Sequence, residues 1–206
     1  MFKSIIFDLD GTLLDTEYAI FQSLHDVFRE INFTPTSDLS VVLGIPGKDG
    51  LEKLGLENAE PLVELWAKRM GDYPFQLFPE VEKTLRLLKD AGSHLGIITS
   101  KTRREYLADF PPFGLEPLFD LVMTVEDSPR PKPTPDPILT FLEKTGFARQ
   151  DVIYIGDSPY DRDCAKSAGV AFGLANWGRN GRPLLDSDYY FASPLEIADL
   201  VTGGGK

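Results

Sequence analysis

Lys3-Ser4-Ile5-Ile6-Phe7-Asp8-Leu9-Asp10-Gly11-Thr12 decides how the rest of this chain is read. A short apolar run, of the kind that forms a fully buried strand, stops abruptly at two carboxylates spaced one residue apart. Period-two alternation puts Asp8 and Asp10 on the same side if the strand continues, and Gly11 lets the chain turn away. Two close carboxylates repel unless a cation sits between them or one holds a proton. Both solutions serve chemistry: a divalent metal, one carboxylate as nucleophile and the other as acid and base. A solvated turn, for which Asp-Gly is a strong signal, accounts for the glycine but not for two acids directly after a buried strand.

Working outward, four more apolar runs end in polar residues. They are His94-Leu95-Gly96-Ile97-Ile98-Thr99-Ser100, Phe119-Asp120-Leu121-Val122-Met123-Thr124-Val125, Asp151-Val152-Ile153-Tyr154-Ile155-Gly156-Asp157 and Gly169-Val170-Ala171-Phe172-Gly173-Leu174-Ala175. Each has strand length and is rich in branched or aromatic residues. Helical stripes lie between them: Val81, Leu85 and Leu88; Ile138, Phe141 and Leu142; and a third candidate over residues 160–168. Strands alternating with helices predict an α/β fold, a doubly wound parallel (Rossmann-like) sheet whose ligands bind beyond the carboxyl ends of the strands.

Residues 16–78 break the alternation, with no convincing strand. Ile20, Leu24, Val27, Phe28 and Ile31 make one helical stripe, with Asp15 or Thr16 placed to cap it. Leu62, Leu65, Trp66 and Met70 make another, and Gly44-Ile45-Pro46-Gly47-Lys48-Asp49-Gly50 between them reads as a loop. The expectation is a small all-helical cap, residues 16–78, inserted after the first strand of a core made of residues 1–15 and 79–206. Its Trp is expected in the core of the insert rather than as a platform for ligand.

The 206 residues suit one ordinary domain, or a core with a small insert. No apolar stretch reaches bilayer-spanning length, no signal-peptide pattern opens the chain, and the single Cys164 excludes an internal disulfide framework. A cytoplasmic protein is therefore expected, with Cys164 as a small apolar filler. A net charge of −11 argues against nucleic acid and against anionic membranes. Any phosphate-bearing ligand must be drawn by a local positive site. His25 and His94 are too few and too isolated for a histidine metal centre. The Pro-rich stretch from Pro129 to Pro137 reads as a stiff loop carrying a side chain inward, and the tail Gly203-Gly204-Gly205-Lys206 as disordered.

Four polar sites fall at successive strand ends: Asp8 and Asp10; Thr99 and Ser100; Lys132; Asp157 and Asp161. They supply carboxylate ligands for a hard cation such as magnesium, together with a hydroxyl and an ammonium for an anion. That set suits phosphoryl transfer, which rests on positioning and charge neutralisation. Asp8-Leu9-Asp10-Gly11-Thr12, Ile97-Ile98-Thr99-Ser100-Lys101, Lys132-Pro133-Thr134-Pro135-Asp136-Pro137 and Gly156-Asp157-Ser158-Pro159-Tyr160-Asp161 resemble the four ordered motifs of the haloacid dehalogenase superfamily. The similarity spans nearly the whole chain, since the helical insert sits where the type-1 cap of that superfamily does.

The resemblance implies a role at each matching position. Asp8 attacks phosphorus and becomes an aspartyl-phosphate; Asp10 protonates the leaving oxygen and then deprotonates water. Thr99 hydrogen-bonds the phosphoryl group, Lys132 bridges that group and Asp8, and Asp161 supports the site from behind. Magnesium is held by Asp8, Asp157 and Asp10, the last through its carbonyl. Ser100 is a phosphate-binding candidate, and Lys48 and Arg103 are candidates for contact with the leaving group, beside the plainer alternative of solvated charges. Asp10 argues against the carbon-attacking dehalogenases. The expected activity resembles that of phosphoglycolate phosphatases: magnesium-dependent hydrolysis of a small-molecule phosphate ester. A β-phosphoglucomutase-like phosphomutase and a non-catalytic phosphometabolite-binding protein stand as alternatives. Oligomeric state stays open between monomer and homodimer.

Overall fold

Ser4–Phe7 forms strand β1, and its four residues are all buried. In the computed structural model, which describes residues 2–179 and 182–202, the chain turns after β1 and makes a two-residue strand, β2 (Leu14–Asp15). It then enters helices α1 (Glu17–Glu30), α2 (Gly47–Lys53) and α3 (Glu60–Met70) and returns through β3 (Gln76–Leu77), antiparallel to β2. The remainder alternates: α4 (Val81–Asp90), β4 (His94–Ile98), α5 (Arg103–Asp109), β5 (Leu121–Met123), α6 (Asp136–Thr145), β6 (Val152–Gly156), α7 (Pro159–Ala168), β7 (Ala171–Ala175), β8 (Tyr189–Phe191) and α8 (Glu196–Thr202). The main sheet runs β5-β4-β1-β6-β7-β8 with every pairing parallel. This is the expected Rossmann-like core with a helical cap inserted after the first strand. The expectation for the tail from Gly203 to Lys206 lies outside the described residues.

Period-two alternation sorts β1 between two cores. Ile5 and Phe7 join a cluster with Leu85, Leu88 and Ile155, whereas Ile6 joins Ile138, Phe141 and Tyr154 on the other face. Full burial of an aliphatic or aromatic side chain contributes ~1.5–3 kcal/mol, so both faces hold the helices firmly. Cys164 sits in the second cluster, and burial pushes its thiol up to about 12, as befits an inert filler. His94 is also structural: its Nδ1 lies 3.1 Å from Ser4 Oγ, and its ring packs edge-on to Phe141 and Phe147. The cap helices own a third cluster built on Leu24, Val27, Phe28, Leu51 and Leu54.

Three details differ from the sequence expectation. Residues 44–50 are not loop throughout: α2 begins at Gly47, because Leu51 and Leu54 are drawn completely into the third cluster. β3 lies inside the stretch read as strand-free, where two residues pair with β2 as the chain re-enters the core. Thr16 stands at the start of α1 but makes no side-chain cap, and Asp15 is an exposed residue of β2. Among the described residues no helix is long and apolar enough to cross a membrane.

Candidate active site

Beyond β1 the ladder continues for one residue. The Asp8 amide donates to the Ile155 carbonyl at 2.8 Å and fixes that backbone against β6. The chain then bends away at Gly11, whose φ of +77° strains any L side chain. A Cβ there would stand 2.7 Å from the Asp157 carboxylate, so Gly11 is what lets the turn approach the end of β6. Thr99 continues β4 in the same way: its amide donates to the Met123 carbonyl at 3.0 Å, and its Oγ1 accepts from the Lys101 amide at 3.2 Å. Asp8, Thr99, Lys132, Asp157 and Asp161 are all buried.

Lys132 joins the strand ends. Its Nζ donates to Asp8 Oδ1 at 2.8 Å and Asp161 Oδ1 at 2.7 Å, and lies 3.1 Å from the Tyr154 hydroxyl. Burial pulls this ammonium toward neutrality, but Asp161 and Asp8 outweigh it and the net effect is upward, so Lys132 stays charged. Burial pushes Asp8 well above the usual carboxylate range; Asp161 adds to the shift and Lys132 opposes it. Asp157 is raised to about 7, by burial first and then by Asp161, against the pull of Arg182, Arg179 and Lys132.

These acids fit a hard divalent cation. Oxygens of Asp8, Asp157 and Asp161 lie within 4.8 Å of one another, and Asp8 Oδ2 is buried without a hydrogen-bond partner. Both Asp161 oxygens are occupied, Oδ1 by Lys132 and Tyr154 and Oδ2 by the Ser158 amide and hydroxyl. Asp8 and Asp157 are thus the carboxylates open to a metal, and Asp161 anchors Lys132 while completing the capping box of α7. The Asp10 carboxylate lies outside this group. Its Oδ1 stands 3.2 Å from Lys101 Nζ, an ion pair without hydrogen-bond alignment, and Lys101 also holds Asp109 at 2.8 Å. The side chain is thus engaged with Lys101, and the contact expected of Asp10 with a metal is one through its main-chain carbonyl.

A cavity of about 570 Å³ opens over Asp8 and Asp10, between the cap helices and the carboxyl ends of the strands. Ser100 lines it, but its Oγ donates to the Gly44 carbonyl at 2.9 Å and ties cap to core. Gly44 has a φ of +82°, and a Cβ there would meet Ser158 Oγ at 2.6 Å, so this approach also needs glycine.

The sequence profile of the haloacid dehalogenase-like hydrolases matches residues 5–175. The chain belongs to that family. This hydrolase is 27% identical to the pyrophosphatase PpaX of Halalkalibacterium halodurans, over 97% of its own length and 96% of that protein. It is 30% identical to the PpaX of Bacillus velezensis, over 96% and 95%. A crystal structure from Lactobacillus plantarum, provisionally named a phosphoglycolate phosphatase, superposes with a TM-score of 0.87 at 26% identity, covering 97% of this chain and 99% of that one.

Within this hydrolase, Lys48 does not reach the cavity. It is an exposed residue of α2, paired with Glu60 and 3.9 Å from Glu52, because helix formation at Gly47 turns it outward. Arg103 pairs with Asp127, and its neighbour Arg104 reaches the cavity instead. Trp66 serves both purposes: it packs on the cap cluster and lines the cavity. Sequence reasoning missed Tyr154, Lys101 and Arg182. Tyr154 was visible as a lone hydroxyl in an aliphatic strand. Arg182, 3.2 Å from Asp157 Oδ2 and 3.0 Å from Glu17 Oε2, gave no local signal.

Proposed function

We propose that this hydrolase is a cytoplasmic, magnesium-dependent phosphatase that cleaves a small phosphate monoester through an aspartyl-phosphate on Asp8. The observation that carries the proposal is a buried carboxylate, Asp8, with one oxygen held by Lys132 and the other without a partner, beside a second metal-competent carboxylate. Asp8 and Asp157, with the Asp10 carbonyl, would hold magnesium, which when bound supplies positive charge against the phosphoryl oxygens. Lys132 holds Asp8 in position and places an ammonium where the negative charge of the transferring group adds to that of Asp8. An Asp8 oxygen attacks phosphorus, the bond to the leaving oxygen breaks, and Asp10 delivers the proton that oxygen needs. Water then attacks the acyl phosphate while Asp10 takes its proton, which releases inorganic phosphate and frees Asp8. Thr99 binds the phosphoryl oxygens, and Asp161 keeps Lys132 aimed. The names of the curated relatives, pyrophosphatases, support the phosphatase over the phosphomutase.

The test is phosphate release from a panel of phosphorylated metabolites and p-nitrophenyl phosphate, with and without magnesium, and with Asp8→Asn as control. Turnover that needs both Asp8 and magnesium is expected. Release no faster than in Asp8→Asn across the panel sinks the proposal in favour of a binding protein. Conversion of glucose 1-phosphate to the 6-phosphate without phosphate release replaces it with a mutase.

A further inference from the structure

The cavity over Asp8 is larger and more apolar than a short, charged alcohol requires. Its volume of about 570 Å³ has room for roughly twenty water molecules at ~30 Å³ each. That volume belongs to a cap already seated on the core, since Ser100 bonds Gly44, and Lys53 Nζ donates to the Tyr160 hydroxyl at 2.7 Å.

The lining divides between core and cap. The core supplies Asp8, Asp10 and Lys101; the inserted segment supplies Ile20, Val63, Trp66, Met70 and Phe75. Phe75 is next to the acid–base end of the site: Lys101 Nζ, which pairs with Asp10, lies 5.9 Å from the Phe75 ring centroid. The Trp66 indole is fixed from two sides. Its Nε1 donates to Ser23 Oγ at 2.9 Å, and the place of a Cβ on Gly47 lies 3.3 Å from its six-membered ring. With its one polar atom satisfied inside the cap, the indole offers the cavity hydrocarbon surface.

Charge points the same way. With Asp8 matched by Lys132, Asp10, Glu64, Glu105 and Asp109 line the cavity against Lys68, Lys101 and Arg104, so acids still outnumber bases. Lys101 is already shared between two carboxylates. A leaving group bearing a second anion would meet this acidic lining and leave the apolar wall wet. An uncharged ring would cover that wall and add no repulsion.

We propose that the site selects phosphate monoesters whose leaving group is uncharged and carries a flat apolar ring, seated against the apolar wall to which Trp66 and Phe75 contribute. This rests on the phosphatase reading above. Benzyl phosphate and ethyl phosphate are the probes, because their leaving alcohols are chemically alike and differ in the ring; pyrophosphate and phosphoglycolate supply the anionic comparison. The expected result is a kcat/KM for benzyl phosphate at least about tenfold above that for ethyl phosphate, carried mainly by KM, and above that for either of the more highly charged probes. Trp66→Ala, or Phe75→Leu if the first variant folds poorly, should collapse the benzyl-to-ethyl ratio toward unity by raising the benzyl KM. Titration calorimetry with benzylphosphonate and methylphosphonate needs no turnover, and the benzyl ligand should bind at least about tenfold more tightly. Ratios within threefold in both assays, or a preference for pyrophosphate, overturn the inference and leave the phosphatase standing. If nothing is turned over above the Asp8→Asn control, the phosphatase fails, and the phosphonate titration still decides the ring preference.

Discussion

Replacing Lys132 by Met keeps a long apolar stem and removes the ammonium that three buried groups share. Asp8 and Asp161 lose partners at 2.8 and 2.7 Å, and Tyr154 loses one at 3.1 Å. Breaking a buried ion pair from one side costs ~3–5 kcal/mol, because the remaining charge is neither solvated nor paired. In metal-free protein at pH 8 the urea midpoint should therefore fall by about 1–2 M. The deficit should also depend on pH. Burial already holds Asp8 well above the carboxylate range and Asp157 at about 7, and Lys132 opposes both shifts, so its loss raises them further. Carboxylates of the unfolded chain titrate near ~4. Between about pH 5 and 8 the native variant thus binds protons that the unfolded chain does not, and its stability must fall as pH rises, by up to ~1.4 kcal/mol per unit for each proton. Urea unfolding in EDTA at pH 5.5 and pH 8 measures both effects. An unchanged midpoint at pH 8, or a deficit equal at the two pH values, refutes the reasoning. Activity should fall about 10²-fold or more, since the same ammonium faces the nucleophile.

Gly11→Ala puts a Cβ 2.7 Å from the Asp157 carboxylate in a left-handed turn; magnesium affinity by calorimetry should drop at least about tenfold. Because Asp157 takes a proton at about 7, magnesium binding should weaken by about tenfold between pH 8 and pH 6, as protons compete for the carboxylate; equal affinities at the two values contradict the assignment of Asp157 as a ligand. Lys48→Ala removes only an exposed ion pair with Glu60, so kcat/KM should stay within about twofold, and a large loss would return Lys48 to the substrate site. Asp161→Asn keeps the shape but leaves Lys132 with one carboxylate fewer, so kcat should fall while magnesium affinity changes little.

The fold was legible because β1 and β6 are short apolar runs with abrupt polar ends, and the alternation of strands and helices excludes most other arrangements. β8 escaped because three residues, Tyr189–Phe191, carry too little periodicity to be read. α5 escaped although Thr102 and Glu105 spell out the capping box that the structure contains. At the site, Asp8 and Asp157 announced themselves as acids at buried strand ends. Lys132 was read from a stiff proline-rich loop expected to carry a side chain inward, and its bridging role came only from its place in an ordered set of motifs. The outward position of Lys48 has a definite physical origin. A glycine pair suggested loop where burial of Leu51 and Leu54 imposed helix, and helical geometry then decided which way the side chain faced.

The position of β1 also sets the order in which the molecule can be assembled. Ser4 aligns with His94, 90 residues away, and on its other side with Val152, farther still. The strand that carries the nucleophile precedes both neighbours in the chain and has them both only once β6 has been synthesised. Such remote pairings make folding slow. Until β6 emerges, one edge of β1 stays unpaired, and Ile5, Ile6 and Phe7 are only partly covered on the growing chain, an exposure of the kind that chaperones act on.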